Sequence, residues 1–294
     1  MENNNWTHTP VMGSEIAETL LLKPDGVYVD GTLGLGGHTK YFLSLLGPRA
    51  RVLGFDKDIN AVQMAVKNVD DKRLTAFNKS YEFIPRVLEE LGLAGADGVL
   101  LDLGVSSYQL DDARRGFSFQ SGGPLDMRFD TGAKLTARDI VNGYSVKDLG
   151  EIFTEYGEEP AAAKIAMAIF NARRIKPLET TTELAAAINA AIPRRGKTHP
   201  ATRVFQALRI AVNDELGAVE RSLKLLPDIL NPGGRAAILT FHSLEDRIVK
   251  NAFKQMATDG KIKLVNKHVI EPRFEEIKNN RRSRSAKLRV VQKI

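Results

Sequence analysis

The stretch Val29-Asp30-Gly31-Thr32-Leu33-Gly34-Leu35-Gly36-Gly37-His38 decides the fold. An apolar run at residues 27–29 leads into it, and a helix-like segment at 39–46 leads out. Glycine lacks a side chain and accepts positive φ, so a Gly-rich turn between strand and helix lets a ligand reach bare backbone. The next apolar run, residues 52–55, ends at Asp56, twenty residues after Gly36. In a Rossmann-type sheet an acid at that point meets the hydroxyl pair of a ribose. Strand, loop, helix, strand and acid in this order point to a nucleoside ligand. The plainer reading is a turn that only packs a helix on a sheet.

Asp30 stands at the mouth of the loop. A carboxylate there repels the pyrophosphate of a nicotinamide dinucleotide and favours a cationic sulfonium. That selects S-adenosylmethionine. His38 reads equally as a ligand contact or as a solvent-facing residue of the first helical turn.

Further apolar runs at 74–77 and 99–105, with helix-like stretches at 60–68 and 83–91, continue the alternation. Runs apolar on both faces argue for a parallel sheet covered on both sides. After Ser107 the character changes. Residues 109–134 are polar, Gly-rich and irregular, and helical periodicity follows at 146–156, 160–174 and 182–192, with Thr181 and Thr182 as candidate N-caps. The strand pattern resumes with a turn at Asn231-Pro232-Gly233-Gly234 and a run at 235–241. Residues 262–265 and 287–291 are expected to pair as an antiparallel edge. The economical reading is one α/β domain, residues 1–108 and 214–294, interrupted by a mainly helical domain at 109–213.

The chain has 294 residues, 43% hydrophobic and 27% charged, which fits a globular protein of one large or two ordinary domains. No apolar run approaches the roughly 18 residues of a membrane span. The polar start, Met1-Glu2-Asn3-Asn4-Asn5, does not read as a signal peptide. With no cysteine, disulfides, zinc ribbons and thiol nucleophiles are excluded, which suits the cytoplasm. No metal is expected, since the five histidines show no ligand spacing. Residues 273–294 hold eight basic and two acidic residues, the whole of the net charge of +6. A basic end on a neutral body points to a polyanion contact, or more plainly to a solvated tail.

Asp102, at the end of the fourth strand, is the candidate catalytic residue. It lies beside the topological switch where Rossmann sheets bind ligands. The plainer role is cofactor binding alone. Arg194, Arg195, Lys197, His199 and Arg203 cluster as a phosphate-tracking patch would, or as a solvated face. Arg173, Arg174 and Lys176 form a smaller group. Phe117, Phe119 and Phe129 could stack on an extruded base, though core packing is the better reading of single aromatics. His242, Ser243 and Asp246 resemble a triad in letters only, because neighbours in sequence do not reach triad geometry. They read as lining a substrate mouth.

Several strings are long and chemically unusual. They are His8-Thr9-Pro10-Val11, Asp30-Gly31-Thr32, Gly36-Gly37-His38, Leu100-Leu101-Asp102-Leu103-Gly104-Val105-Ser106-Ser107, Arg115-Gly116-Phe117-Ser118-Phe119 and Gly123-Pro124-Leu125-Asp126-Met127-Arg128. Others are Tyr156-Gly157-Glu158-Glu159, His199-Pro200-Ala201-Thr202-Arg203, Phe241-His242-Ser243-Leu244-Glu245-Asp246-Arg247 and Arg282-Ser283-Arg284-Ser285-Ala286-Lys287-Leu288-Arg289. Together they closely resemble the RsmH (MraW) family of 16S ribosomal RNA cytosine-N(4) methyltransferases. The resemblance runs nearly end to end. It departs from the usual pattern at Tyr108, Arg114, Gly122, Phe129 and Arg281.

The resemblance implies a Rossmann-like class I S-adenosylmethionine-dependent domain with a helical insertion. It also implies methylation of a cytidine amine in the decoding region of the small ribosomal subunit. Carried over by position, the cofactor contacts are Gly36, Gly37, His38, Asp56, Asp102 and Gln109, with Tyr81 where the family usually has Phe. His242 joins Arg194, Arg195, Lys197, His199 and Arg203 as candidate substrate residues. Oligomeric state stays open, a homodimer among the options. Three competing readings are a dehydrogenase, a DNA amino-methyltransferase and a non-catalytic RNA-binding module.

Overall fold

The computed structural model describes residues 10–192 and 199–294. The chain divides into two compact units, one running to Gly104 and resuming at Leu216, the other Val105–Glu215.

The first unit is built on seven strands: β1 (Val27–Asp30), β2 (Arg51–Phe55), β3 (Leu74–Phe77), β4 (Ala96–Asp102), β5 (Leu230–Thr240), β6 (Ile262–Leu264) and β7 (Lys287–Lys293). Their order across the sheet is β3-β2-β1-β4-β5-β7-β6. The first five are mutually parallel, and β7 runs antiparallel to both β5 and β6. Successive side chains on a strand point to opposite faces, and here both faces are buried. Leu53, Phe55, Val99, Leu101 and Ile238 pack with Val219, Leu223, Val249 and Phe253. Their strand neighbours Val52, Leu100, Ala237 and Leu239 pack with Ile16, Leu20, Phe42 and Leu43. This is why the parallel strands read as unbroken apolar runs.

Chain order moves outward from β1 to β3 and then returns to β4 beside β1. That reversal opens a crevice at the carboxyl ends of β1 and β4, where open α/β sheets bind ligands.

Three expectations need correction. Residues 231–234 are not a turn before a strand. They form an irregularity inside β5, where pairing steps from Ala96↔Leu230 to Gly98↔Arg235 and Gly233 takes φ 77°. The N-cap of the helix Thr181–Ala191 is Thr180, not Thr181 or Thr182, because Thr180 and Glu183 complete a reciprocal capping box. The basic end is not a solvated tail. Its final segment, β7, lies between β5 and β6, and its Leu288, Val290 and Val291 are fully buried.

The second unit is helical: Ala137–Gly143, Val146–Glu155, Ala162–Ile175, Thr181–Ala191 and Ala201–Asn213. Their apolar faces meet in a core that includes Ile140, Leu149, Phe153, Ile165, Ile169, Leu184, Ile188, Val204 and Leu208. The irregular stretch is tied down by Arg115, whose Nη2 donates to Arg128 O and Phe129 O at 2.8 and 3.1 Å. Gly116, at φ 71°, and Gly123 press so close to Pro124 O and Ala113 O that a Cβ at either would clash with backbone. Among the described residues no helix is long and apolar enough to cross a membrane.

Candidate functional site

The loop after β1 is held open by backbone hydrogen bonds. Gly31 N donates to Leu100 O at 2.9 Å, Leu33 N to Phe55 O at 2.8 Å, and Gly36 N to Leu33 O at 2.8 Å. Gly36 caps the helix Gly37–Leu45 at φ 82°, and a Cβ there would meet Val69 Cγ2 at 2.6 Å. Gly34, at φ 51°, has room above it. The same loop therefore uses one glycine for helix packing and another for an open approach.

Asp30 is 1% exposed. Its Oδ1 accepts from Thr32 N at 3.2 Å and its Oδ2 from the Thr39 hydroxyl at 2.8 Å, so the side chain braces the loop. Burial raises its pKa, against the favourable charge of His38 and these two donors.

Asp56 follows β2. Its two oxygens accept from Asp58 N and Gly34 N, each at 2.8 Å. Burial pushes its carboxyl up to about 6, opposed by those two backbone donors and assisted by the Asp58 and Asp30 carboxylates. Each oxygen of a carboxylate has two lone-pair directions, so Asp56 keeps acceptor capacity for a diol.

Asp102 closes β4. Its N–H donates to the Thr32 hydroxyl at 2.7 Å. Its Oδ2 lies 3.4 Å from His38 Nε2. His38 does not face solvent: it is 7% exposed, on the buried side of the first helical turn. Asp102 Oδ1 and both His38 ring nitrogens are shielded from water and lack a hydrogen-bond partner. Polar atoms in that condition cost about 1–3 kcal/mol each unless a ligand completes them. Tyr81 begins a short turn after β3, and its Cβ lies 3.0 Å from where a Cβ on Gly31 would stand.

Gly36, Gly37, His38, Asp56, Tyr81 and Asp102 are thus gathered on one rim of the first unit. Asp30 is turned inward and does not line it, against the sequence expectation, but Asp56 and Asp102 along it oppose a pyrophosphate and suit a nucleoside that carries positive charge. The unpartnered atoms and the open Gly34 backbone fit such a group.

His242 lies on the same sheet edge, just beyond β5. It caps the helix Ser243–Thr258, its Nδ1 accepting from Glu245 N at 3.4 Å. Its Nε2 lies 3.0 Å from Glu245 Oε1 without hydrogen-bond alignment. Asp246 forms no triad. It accepts from Arg289 Nε at 2.8 Å and stands 3.4 Å from Lys287 Nζ, anchoring β7. Those partners, Arg289 first, hold its pKa down against burial.

The family model described as "MraW methylase family" matches residues 5–294. The chain belongs to the MraW methylase family. A protein of Elusimicrobium minutum called "Ribosomal RNA small subunit methyltransferase H" is 66% identical over 292 residues, covering 99% of this chain and 100% of that one. A protein of the same description from Clostridioides difficile is 45% identical over 307 residues, covering 98% and 99%.

The remaining expected site residues of this methylase belong to its second unit. The Gln109 side-chain oxygen accepts from Ser106 N at 3.1 Å in a capping box. His199 stacks on Phe119 with ring centroids 4.5 Å apart, and its Nδ1 accepts from Ala201 N at 3.1 Å. Arg203 is half exposed, 3.8 Å from Glu159. Arg194, Arg195 and Lys197 lie outside the described residues.

Two of the smaller basic group are spent on the fold, while Arg174 is exposed over the Phe170 ring. Arg173 donates to Val141 O and Tyr144 O, each at 2.6 Å, and Lys176 pairs with Glu183 at 2.8 Å. Phe117 and Phe129 stack on each other at 5.5 Å. Sequence reasoning missed Thr32 and Thr39, which fix Asp102 and Asp30. The Asp30-Gly31-Thr32 string held the first, but nothing in the spacing showed the second.

Proposed function

We propose that this methylase transfers a methyl group from S-adenosylmethionine to the exocyclic N(4) amine of a cytidine in 16S ribosomal RNA of the small subunit, in the cytoplasm. The observation that carries the reading is the buried, unpartnered Oδ1 of Asp102 at the carboxyl end of β4. The family membership and the small-subunit rRNA methyltransferase relatives support the substrate class.

Asp56 would hold the ribose hydroxyls, Gly36 and Gly37 the backbone edge, Tyr81 an aromatic wall, and His38 with Asp102 the charged end. When bound, S-adenosylmethionine supplies a methyl on a sulfonium, whose S–C electron pair returns to sulfur as the N–C bond forms. The protein's task is then to orient a weak nucleophile. The lone pair of a cytosine amine is delocalised into the ring. A carboxylate accepting one of its N–H bonds favours the pyramidal, increasingly positive nitrogen. Asp102 Oδ1 would accept that hydrogen bond and then the proton the nitrogen sheds. His38 Nε2 stands 3.4 Å from Oδ2, which would leave Oδ1 for substrate. Gln109 remains a contact implied by the resemblance alone. The second unit, Val105–Glu215, would serve RNA recognition, with exposed Arg203 as one phosphate contact.

The test offers purified protein and labelled S-adenosylmethionine to assembled small subunits, free 16S RNA and duplex DNA. One methyl on a single cytidine N(4) of the small-subunit RNA is expected, with the same position unmethylated in cells lacking the gene. Methylation of DNA alone, or cellular RNA unchanged by loss of the gene, sinks the reading.

A further inference from the structure

The excess charge of the chain has a definite place in the fold. Of the eight basic residues in 273–294, four are committed to structure. Arg289 and Lys287 pair with Asp246, Lys293 Nζ donates to Leu230 O at 2.7 Å, and Arg273 Nε lies 3.0 Å from Glu15 Oε1. Three others, Lys278, Arg281 and Arg284, fall within seven residues that contain no acid, and all three are exposed.

They stand on a knuckle made of the helix Phe274–Asn279 and the 3-10 turn Arg281–Ser285. The knuckle is fixed from beneath. Ser283 is fully buried, its hydroxyl donating to Asn280 O at 2.7 Å, and Ala286 is 2% exposed. Of the acids nearby, Glu276 Oε1 accepts from Met12 N at 2.8 Å and Glu15 faces Arg273, while Glu271 and Glu275 are exposed. Like charges crowded on a rigid surface repel one another and add nothing to stability. Phe274 sits beside them 75% exposed, giving up the burial an aromatic ring ordinarily gains.

Strand register fixes where this knuckle lies. Asp102 pairs with Leu239 across β4–β5, and Leu239 pairs with Leu288 across β5–β7. The three residues form one row, so Leu288 is two strand spacings, about 10 Å, from Asp102. Because β7 runs antiparallel, the residues just before Lys287 emerge at the carboxyl edge of the parallel strands. The basic knuckle therefore borders the methyl-transfer rim.

We propose that residues 274–284 are a docking surface for the phosphate backbone of the RNA strand that delivers the target base, with Phe274 as a stacking face for an unpaired neighbour. Guanidinium forks match phosphate oxygens, and an exposed ring beside them suits a single strand. The inference rests on the RNA-methyltransferase reading and adds to it a binding surface on the catalytic unit.

The test measures binding of the full-length protein to small subunits over a salt series. For Arg281→Ala with Arg284→Ala, two lost phosphate contacts should lower the slope of log K against log salt by about 1.4 and weaken low-salt binding roughly tenfold. The matching Lys pair should keep the slope. Phe274→Ala should weaken binding with the slope unchanged. If the alanine pair does not fold, Arg281→Gln alone, with a slope drop of about 0.7, decides the matter. If the wild type neither binds nor methylates the subunits, the functional reading falls. If it does both, and the folded double variant matches its affinity and slope, the docking surface is overturned.

Discussion

Asp102 and Asp56 carry different burdens, and their surroundings explain why. Asp102 has one oxygen beside His38 and one without a partner. Asp102→Asn keeps the shape and loses the proton acceptor. Turnover should fall by roughly 100-fold or more, while calorimetric affinity for S-adenosylmethionine changes far less. Equal losses in both would reassign the residue to cofactor binding. Asp56 is raised to about 6, so in the folded protein it takes up a proton as pH falls from 7 to 5. The neutral acid is a poorer acceptor for a diol, and cofactor affinity should decline over that window. In the unliganded protein the sign is opposite. A raised carboxyl favours the fold below its ordinary value of 3.8, and that contribution is lost as pH rises through about 6. Asp56→Asn should flatten the pH dependence of binding, which titration calorimetry at several pH values would show. Gly36→Ala forces a Cβ onto a φ 82° backbone and against Val69, and should cost about 1–3 kcal/mol in denaturant titration.

At the level of elements, the irregular stretch after Ser107 is the one that sequence left shapeless. Its order comes from side chains that hold backbone carbonyls, the buried Arg115 guanidinium among them, rather than from periodicity. Arg115 holds two carbonyls, and Asn213 adds more, accepting from Phe129 N at 2.6 Å and donating to Met127 O at 2.7 Å. Lysine has no planar fork to reach both carbonyls. Arg115→Lys should therefore cost about 2–3 kcal/mol, and limited proteolysis should cut within 112–130 sooner than in the wild type. An unchanged cleavage pattern would show that the loop is held elsewhere. The regular elements were legible because their signals are local. Apolar runs marked β1 to β4, and capping boxes at Ser145 and Thr180 mark two helix starts. The N-cap near Thr180 was misplaced by one residue because three threonines in a row offer the same chemistry, and only the Glu183 contact chooses among them.

For the whole molecule, the last strand is the part whose role depends most on distant residues. Deleting 287–294 removes β7 from between β5 and β6 and exposes the β5 edge. Such a truncation should be insoluble on expression, since an unpaired hydrophobic edge invites aggregation. A dispensable tail would leave solubility untouched. The sequence alone determined the alternation of strand and helix, the Gly-rich loop with its following acid, and the family resemblance. These are patterns of neighbours, and local sterics and hydrophobic periodicity write them into the chain. Only the tertiary structure decided that His38 faces Asp102, that Asp30 is consumed by its own loop, and that Lys287, Arg289 and Lys293 are bound into the sheet while Lys278, Arg281 and Arg284 stand exposed at its rim. The first and last of those facts depend on residues dozens to hundreds of positions apart being brought into contact, and hydrophobic burial selects such contacts only when the whole core closes.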